Sequence, residues 1–103
     1  MSDINTRIKE DVTTNRVKLY MKGTPSFPQC GFSMRVVEIL ANYDVLFDAS
    51  NILEDAELRQ GIKDYFEWPT IPQLVVDGEL VGGCDIITEL HQSGELEAVL
   101  KGE

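Results

Sequence analysis

The sequence predicts an α/β domain: a mixed sheet of four strands with helices on both faces. Two observations carry this. Val17-Lys18-Leu19-Tyr20-Met21 is a largely apolar, β-prone run, followed by a helical pattern and a second such run at Val45–Ala49, the β-α-β order of a parallel pair. Further on, Gln73-Leu74-Val75-Val76 and Glu79-Leu80-Val81 flank Asp77-Gly78, a dipeptide suited to the positive φ angles of a tight hairpin. A parallel unit followed by an antiparallel hairpin requires a mixed sheet.

The elements follow in order. Ile4, Ile8 and Val12 recur at steps of four behind Asp3, a suitable N-cap, so a short amphipathic helix is expected to end near Asn15. The strand Val17–Met21 runs into Lys22-Gly23-Thr24-Pro25-Ser26-Phe27-Pro28-Gln29-Cys30-Gly31-Phe32-Ser33, a Gly/Pro-punctuated loop. A helix starts just past Cys30 (Met34, Val37, Ile39, Leu40) and reaches about Asn42. The second strand is placed at Val45–Ala49 and a third helix at about Asp55–Phe66, with Leu58, Ile62 and Phe66 on one face. Trp68-Pro69-Thr70-Ile71-Pro72 must end that helix, because two prolines in four residues cannot continue it. After the hairpin, Gly82-Gly83 leads into a helix from Asp85 (Ile86, Ile87, Leu90), and Leu96, Val99 and Leu100 form a short helical close.

At 103 residues the chain can bury one hydrophobic core, so residues 1–103 are expected to form a single domain. No apolar run reaches a transmembrane length, and Met1-Ser2-Asp3-Ile4-Asn5 lacks the basic start and apolar core of a signal peptide, so the expected location is the cytoplasm, with no membrane association. The net charge of −9 is uneven. Residues 1–42 carry six basic and four acidic residues, whereas residues 43–103 carry three and fourteen. Nothing resembles the cation stripe that a nucleic acid would require, and nucleic acid is excluded as the main partner.

Two cysteines do not make a disulfide framework, so each needs its own account. Cys30 falls at the C-terminal end of the first strand and the N-terminal end of the next helix, the edge at which ligands collect in open α/β sheets. There its thiolate would meet unpaired backbone N–H groups and the positive end of the helix dipole, with Lys22 adding charge; the alternative is a buried, inert cysteine. Ser33 stands where a Cys-x-x-Cys motif carries its second sulfur, and a hydroxyl cannot resolve a mixed disulfide, so a second thiol must come from elsewhere. Cys84 could be that partner if its Cα came within roughly 7 Å of that of Cys30. The favoured alternative is a small residue at a crowded helix start, where Gly82-Gly83 lets a ligand approach the backbone. Arg59 and Lys63 share a helix face and, with Lys101, are the only cations after residue 42. The ordinary role for the pair is contact with Asp55 or Glu67. Trp68 reads as packing at the helix end, and His91 is assigned no role.

Three blocks in this order and spacing, Lys-Gly-Thr-Pro-x-x-Pro-x-Cys-Gly-Phe-Ser, Trp-Pro-Thr-Ile-Pro-Gln-Leu and Asp-Gly-Glu-Leu-Val-Gly-Gly-Cys-Asp-Ile, resemble the monothiol glutaredoxins of the Cys-Gly-Phe-Ser class in their single-domain form. The resemblance implies a thioredoxin-like fold, with Ile71-Pro72 as a cis peptide facing the cysteine. It implies glutathione as the second thiol. Its glycyl carboxylate would be held by Lys22 and Arg59, its cysteinyl backbone by Ile71, and its γ-glutamyl end by the Gly83-Cys84-Asp85 turn, with Asp85 accepting from the ammonium. It further implies a [2Fe–2S] cluster bridging a homodimer through Cys30 and one glutathione per chain, and hence a cluster carrier or assembly factor. BolA-like proteins would be alternative partners, and apo iron–sulfur proteins the recipients. Glutathione-dependent reduction of mixed disulfides through Cys30 uses the same residues and remains open beside it, as does a Cys30–Cys84 disulfide.

Overall fold

The computed structural model describes residues 3–102; Met1 and Ser2 of the opening segment, and Glu103, lie outside the described residues. Helix α1 (Ile4–Thr14) starts where Asp3 accepts from the Asn5 N–H at 3.2 Å, and it buries Ile8 and Val12. Strand β1 (Val17–Met21) is buried at every residue. Helix α2 (Gly31–Leu40), strand β2 (Asp48–Asn51), a 3₁₀ turn (Ile52–Glu54) and helix α3 (Ala56–Tyr65) follow. Strands β3 (Gln73–Val76) and β4 (Glu79–Gly82) form the expected hairpin, with φ of 52° at Asp77 and 80° at Gly78. Helices α4 (Cys84–Ser93) and α5 (Leu96–Lys101) complete the described chain.

The sheet order is β2-β1-β3-β4, with β1 and β2 parallel and both other pairings antiparallel. This is the mixed, four-stranded sheet that the sequence predicts. Alternation along β1 divides the core into two layers. Val17, Leu19 and Met21 face Val36, Ile39 and Leu40 of α2, Ile87 of α4, and Leu96 and Leu100 of α5. Tyr20 faces the other way, into Ile8 and Val12 of α1 and Leu58 and Ile62 of α3. Among the described residues no helix is long and apolar enough to cross a membrane.

The second strand differs from expectation. It begins at Asp48, and Val45, Leu46 and Phe47 belong to the connection from α2. Val45 and Phe47 pack against the α2 layer from that connection, while Leu46 is 96% exposed. Pairing of Lys18 with Asp48 through Met21 with Asn51 makes an edge strand of a segment with little intrinsic β preference. Helix α2 also stops two residues earlier than expected, and α4 starts one residue earlier, at Cys84.

A polar cluster lies within the α1–α3 layer. Lys18 is 1% exposed, and its ammonium contacts Asp11 Oδ1 at 3.2 Å and the Asp48 carboxylate. The Tyr20 hydroxyl donates to Asp11 Oδ2 at 2.8 Å. Burial, reinforced by this bond to a carboxylate, pushes the Tyr20 phenol well above its usual range. Asp11 thus compensates two buried groups at once. Its replacement by Ala is expected to destabilise the fold by about 3 kcal/mol in urea unfolding, because it leaves the Tyr20 hydroxyl unpaired and takes away one of the two carboxylates on the buried Lys18 ammonium. Lys18→Met, which removes the buried charge itself, should cost clearly less than Asp11→Ala. The opposite ranking would show that Asp11 does not hold Lys18.

Candidate functional site

The chain leaves β1 at Lys22 and reaches α2 through a tight loop. Gly23, at φ 91°, sits so close to the returning chain that a Cβ would lie 2.6 Å from the Gln29 nitrogen. The Gln29 N–H donates to the Lys22 carbonyl at 2.9 Å, and Thr24 and Phe27 exchange backbone hydrogen bonds at 3.2 and 3.0 Å. Asn51 braces the loop from β2, its Oδ1 accepting from the Gly23 N–H at 2.8 Å and from the Leu53 N–H at 3.0 Å. Cys30 then occupies the N-cap position of α2 with extended backbone (φ −150°, ψ 136°).

Cys30 is half-buried. Partial burial opposes its ionisation. The backbone N–H groups of Ser33 and Phe32, the Ser33 hydroxyl and the Lys22 charge outweigh that and hold the thiol below its ordinary value. Ser33 is fully buried, and its oxygen also accepts from the Lys22 N–H at 3.1 Å. The serine that stands where a second motif cysteine would be therefore clamps the end of β1 to the first turn of α2 while favouring the thiolate.

Two adjoining lobes form one cleft around this thiol. The first is lined by Lys22, Cys30, Phe32, Arg59, Lys63, Pro69, Thr70 and Ile71. The second is lined by Trp68, Pro72, Gly83, Cys84, Asp85 and Ile86, and shares Phe32, Thr70 and Ile71 with the first. Their volumes of about 280 and 330 Å³ suit a small-molecule ligand. All six residues expected at the site, Cys30, Lys22, Arg59, Ile71, Cys84 and Asp85, line this cleft.

Ile71-Pro72 is cis, as expected, and among the described residues the Ile71 N–H and C=O make no hydrogen bond, so an extended peptide could pair with them. Gly83 precedes α4, whose first turn has no side-chain cap and presents free backbone N–H groups to the second lobe. Cys84 is half-buried, and both cysteines are free thiols. Among the described residues, no three His, Cys, Asp or Glu side chains gather as a metal cage.

Some of the site was not singled out from the sequence. Gln73, fully buried, donates from Nε2 to the carbonyls of Trp68 and Thr70 at 3.0 and 3.1 Å and so fixes the wall carrying Ile71. Its signal was a lone amide opening an apolar strand. Phe32 and Thr70, which border both lobes, stood in the motifs without an assigned role. Trp68 is more than packing at a helix end: it lines the second lobe, with Nε1 buried close behind Gly83. His91 lies outside the cleft, bonded to the Tyr43 hydroxyl at 2.7 Å through Nδ1.

The lowered Cys30 thiol has a measurable consequence. Alkylation by iodoacetamide, followed against pH with peptide mapping, should show Cys30 reacting below the pH range of an ordinary cysteine. Because Ser33 and Lys22 favour the thiolate, Ser33→Ala and Lys22→Gln should each move that midpoint upward. A midpoint unmoved in both variants would contradict this account of the thiol.

The glutaredoxin family model matches residues 17–81. A Synechocystis protein described as an uncharacterized monothiol glutaredoxin ycf64-like is 55% identical over 92% of this chain and 89% of its own length. The mitochondrial monothiol glutaredoxin-5 of Saccharomyces cerevisiae is 50% identical over 97% of this chain and 69% of its own. The solution structure of reduced apo GrxS14 from poplar superposes with a TM-score of 0.85 at 50% identity, covering 96% of this chain and 91% of that one. A buckwheat glutaredoxin solved as a glutathione complex shares the fold (TM-score 0.83, 19% identity, 96% and 88% coverage). With a thioredoxin-like fold, one cysteine in its Cys-Gly-Phe-Ser loop and relatives of this identity, the chain belongs to the glutaredoxin family, among the monothiol glutaredoxins.

Proposed function

We propose that this protein binds glutathione in the cleft and uses it, together with Cys30, to carry a [2Fe–2S] cluster for delivery in iron–sulfur assembly. The observation that carries the reading is the cleft itself: the Cys30 thiol held below its ordinary value, a free main-chain pairing edge at Ile71, and basic residues at the opposite end from the α4 N-terminus. Glutathione has a matching group for each. Its glycyl carboxylate would meet Lys22 and Arg59, its cysteinyl main chain would pair with Ile71, and its γ-glutamyl carboxylate would take the N–H groups at Cys84 and Asp85, with Asp85 accepting from the ammonium.

The cluster is cargo in this reading. Four ligands, mostly thiolates, are the rule for such clusters, and one chain brings Cys30 and at most Cys84. Two chains and two glutathiones complete the set, and a BolA-like partner could replace one chain. Because half of those sulfurs are exchangeable, the assembly suits transfer to apo iron–sulfur proteins.

Reduction of glutathione mixed disulfides is the second reading. The lowered Cys30 thiol favours it too, since attack on a disulfide needs the thiolate. Ser33, bonded to the Lys22 N–H, offers no sulfur for resolution, so turnover would depend on a second glutathione.

Anaerobic incubation with iron and sulfide should yield a red-brown dimer only when glutathione is present, read by visible absorbance and size-exclusion chromatography. Cys30→Ser should abolish the colour and Cys84→Ser should weaken it at most. A colourless monomer with glutathione present would overturn the cluster reading, and brisk turnover of a glutathione mixed disulfide in that colourless protein would put the second in its place. Arg59→Ala should weaken glutathione binding by roughly tenfold in calorimetry, the worth of one charge-assisted hydrogen bond.

A further inference from the structure

The cleft holds more positive charge than one carboxylate uses. Arg7, Arg16, Lys18 and Lys101 each contact a carboxylate, at Asp55, Asp77, Asp11 with Asp48, and Glu97 respectively. Among the described residues, the side chains of Lys22, Arg59 and Lys63 make no ion pair and no hydrogen bond, although the chain has 18 acidic residues. Lys9 and Arg35 also lack ion pairs among the described residues, but they lie outside the cleft.

Two carboxylates close in sequence to the cleft cations are engaged elsewhere, and among the described residues Glu67, four residues after Lys63, forms no ion pair with it. Asp55, four residues before Arg59, turns to Arg7 at 2.6 Å and caps α3 through the Leu58 N–H at 3.0 Å. Asp64 accepts from Gln60 at 3.0 Å. Among the described residues, no acidic side chain lines the lobe that Lys22, Arg59 and Lys63 share with Cys30. Arg59 and Lys63 lie one turn apart on the same face of α3, a like-charge pair that an isolated helix disfavours.

If the ligand is glutathione, Lys22 and Arg59 take the glycyl carboxylate and Lys63 is left over; the role assigned to Lys63 rests on that reading of the cleft. We propose that Lys63 is a specificity-determining residue that reads a second negative charge on the third residue of the ligand. The cleft then favours γ-glutamyl-cysteinyl thiols whose third residue is acidic over those of equal size whose third residue is neutral. A competing role for Lys63 is purely structural, since it lies in the last turn of α3, where the helix dipole welcomes a cation.

The test uses the reduced protein at low ionic strength, titrated separately with glutathione, γ-Glu-Cys-Glu and γ-Glu-Cys-Gln and followed by NMR through backbone amides of the cleft. The two analogues differ only in one side-chain charge. The Glu analogue is expected to bind about two- to fivefold more tightly than the Gln analogue, the range of a partly exposed ion pair. That ratio should fall to about one in Lys63→Gln and shrink in high salt. Equal affinities in the unaltered protein overturn the proposal, whatever Lys63→Gln does to the melting temperature, and so does a ratio that survives in Lys63→Gln. Should glutathione bind while the analogues tie, only the role of Lys63 falls. If none of the three thiols perturbs the cleft, the glutathione reading falls with it.

Discussion

β1 is buried along its whole length, and the position of the Cys30 thiol depends on that. Both of its faces are covered, one by α2, α4 and α5 and the other by α1 and α3. A one-residue slip would turn the Lys18 ammonium into the apolar layer of Leu19 and Met21 and would separate Tyr20 from Asp11, so the register has no near alternative. With the register set, the strand ends at one place. Lys22 and Gly23 emerge beside Asn51 of the parallel neighbour, and the loop returns Cys30 to the head of α2.

At that point backbone and side chains act together on one sulfur. The first turn of α2 supplies N–H groups, Ser33 supplies a hydroxyl, and Lys22 supplies charge. Ser33 is fully buried and joins the end of β1 to the start of α2. It takes part in the thiol's environment without adding a second sulfur, which leaves Cys30 a single thiol able to share an external ligand.

The rest of the cleft comes from elements far apart in the chain. Arg59 and Lys63 arrive on α3, Ile71 on the wall that Gln73 ties down, and the free N–H groups at Cys84 on α4. Most other cations are neutralised in an acidic chain, yet among the described residues these remain unpaired beside the thiol. Such an arrangement favours an anionic ligand, because a cation without a carboxylate partner binds one more strongly than a cation already paired.

Much of this was legible in the sequence because it is written over short spans. The Asp77-Gly78 hairpin, the stop at Trp68–Pro72, the helix behind Asp3 and the loop before Cys30 each follow from the backbone preferences of adjacent residues, and three motif blocks contain most of the residues that the fold brings to one cleft. What the sequence did not contain was pairing across distance. The edge strand at Asp48–Asn51 was misplaced toward Val45–Phe47 because local β preference favours the apolar residues, whereas the strand is defined by its register on Lys18–Met21. The pairing of buried Lys18 with Asp48 and the diversion of Asp55 from Arg59 to Arg7 are likewise tertiary. The sequence alone determined the elements and the chemistry available at Cys30, through interactions among near neighbours. Only the tertiary structure decided which charges meet and which stay free, since the Arg7–Asp55, Arg16–Asp77 and Lys18–Asp48 contacts join residues tens of positions apart.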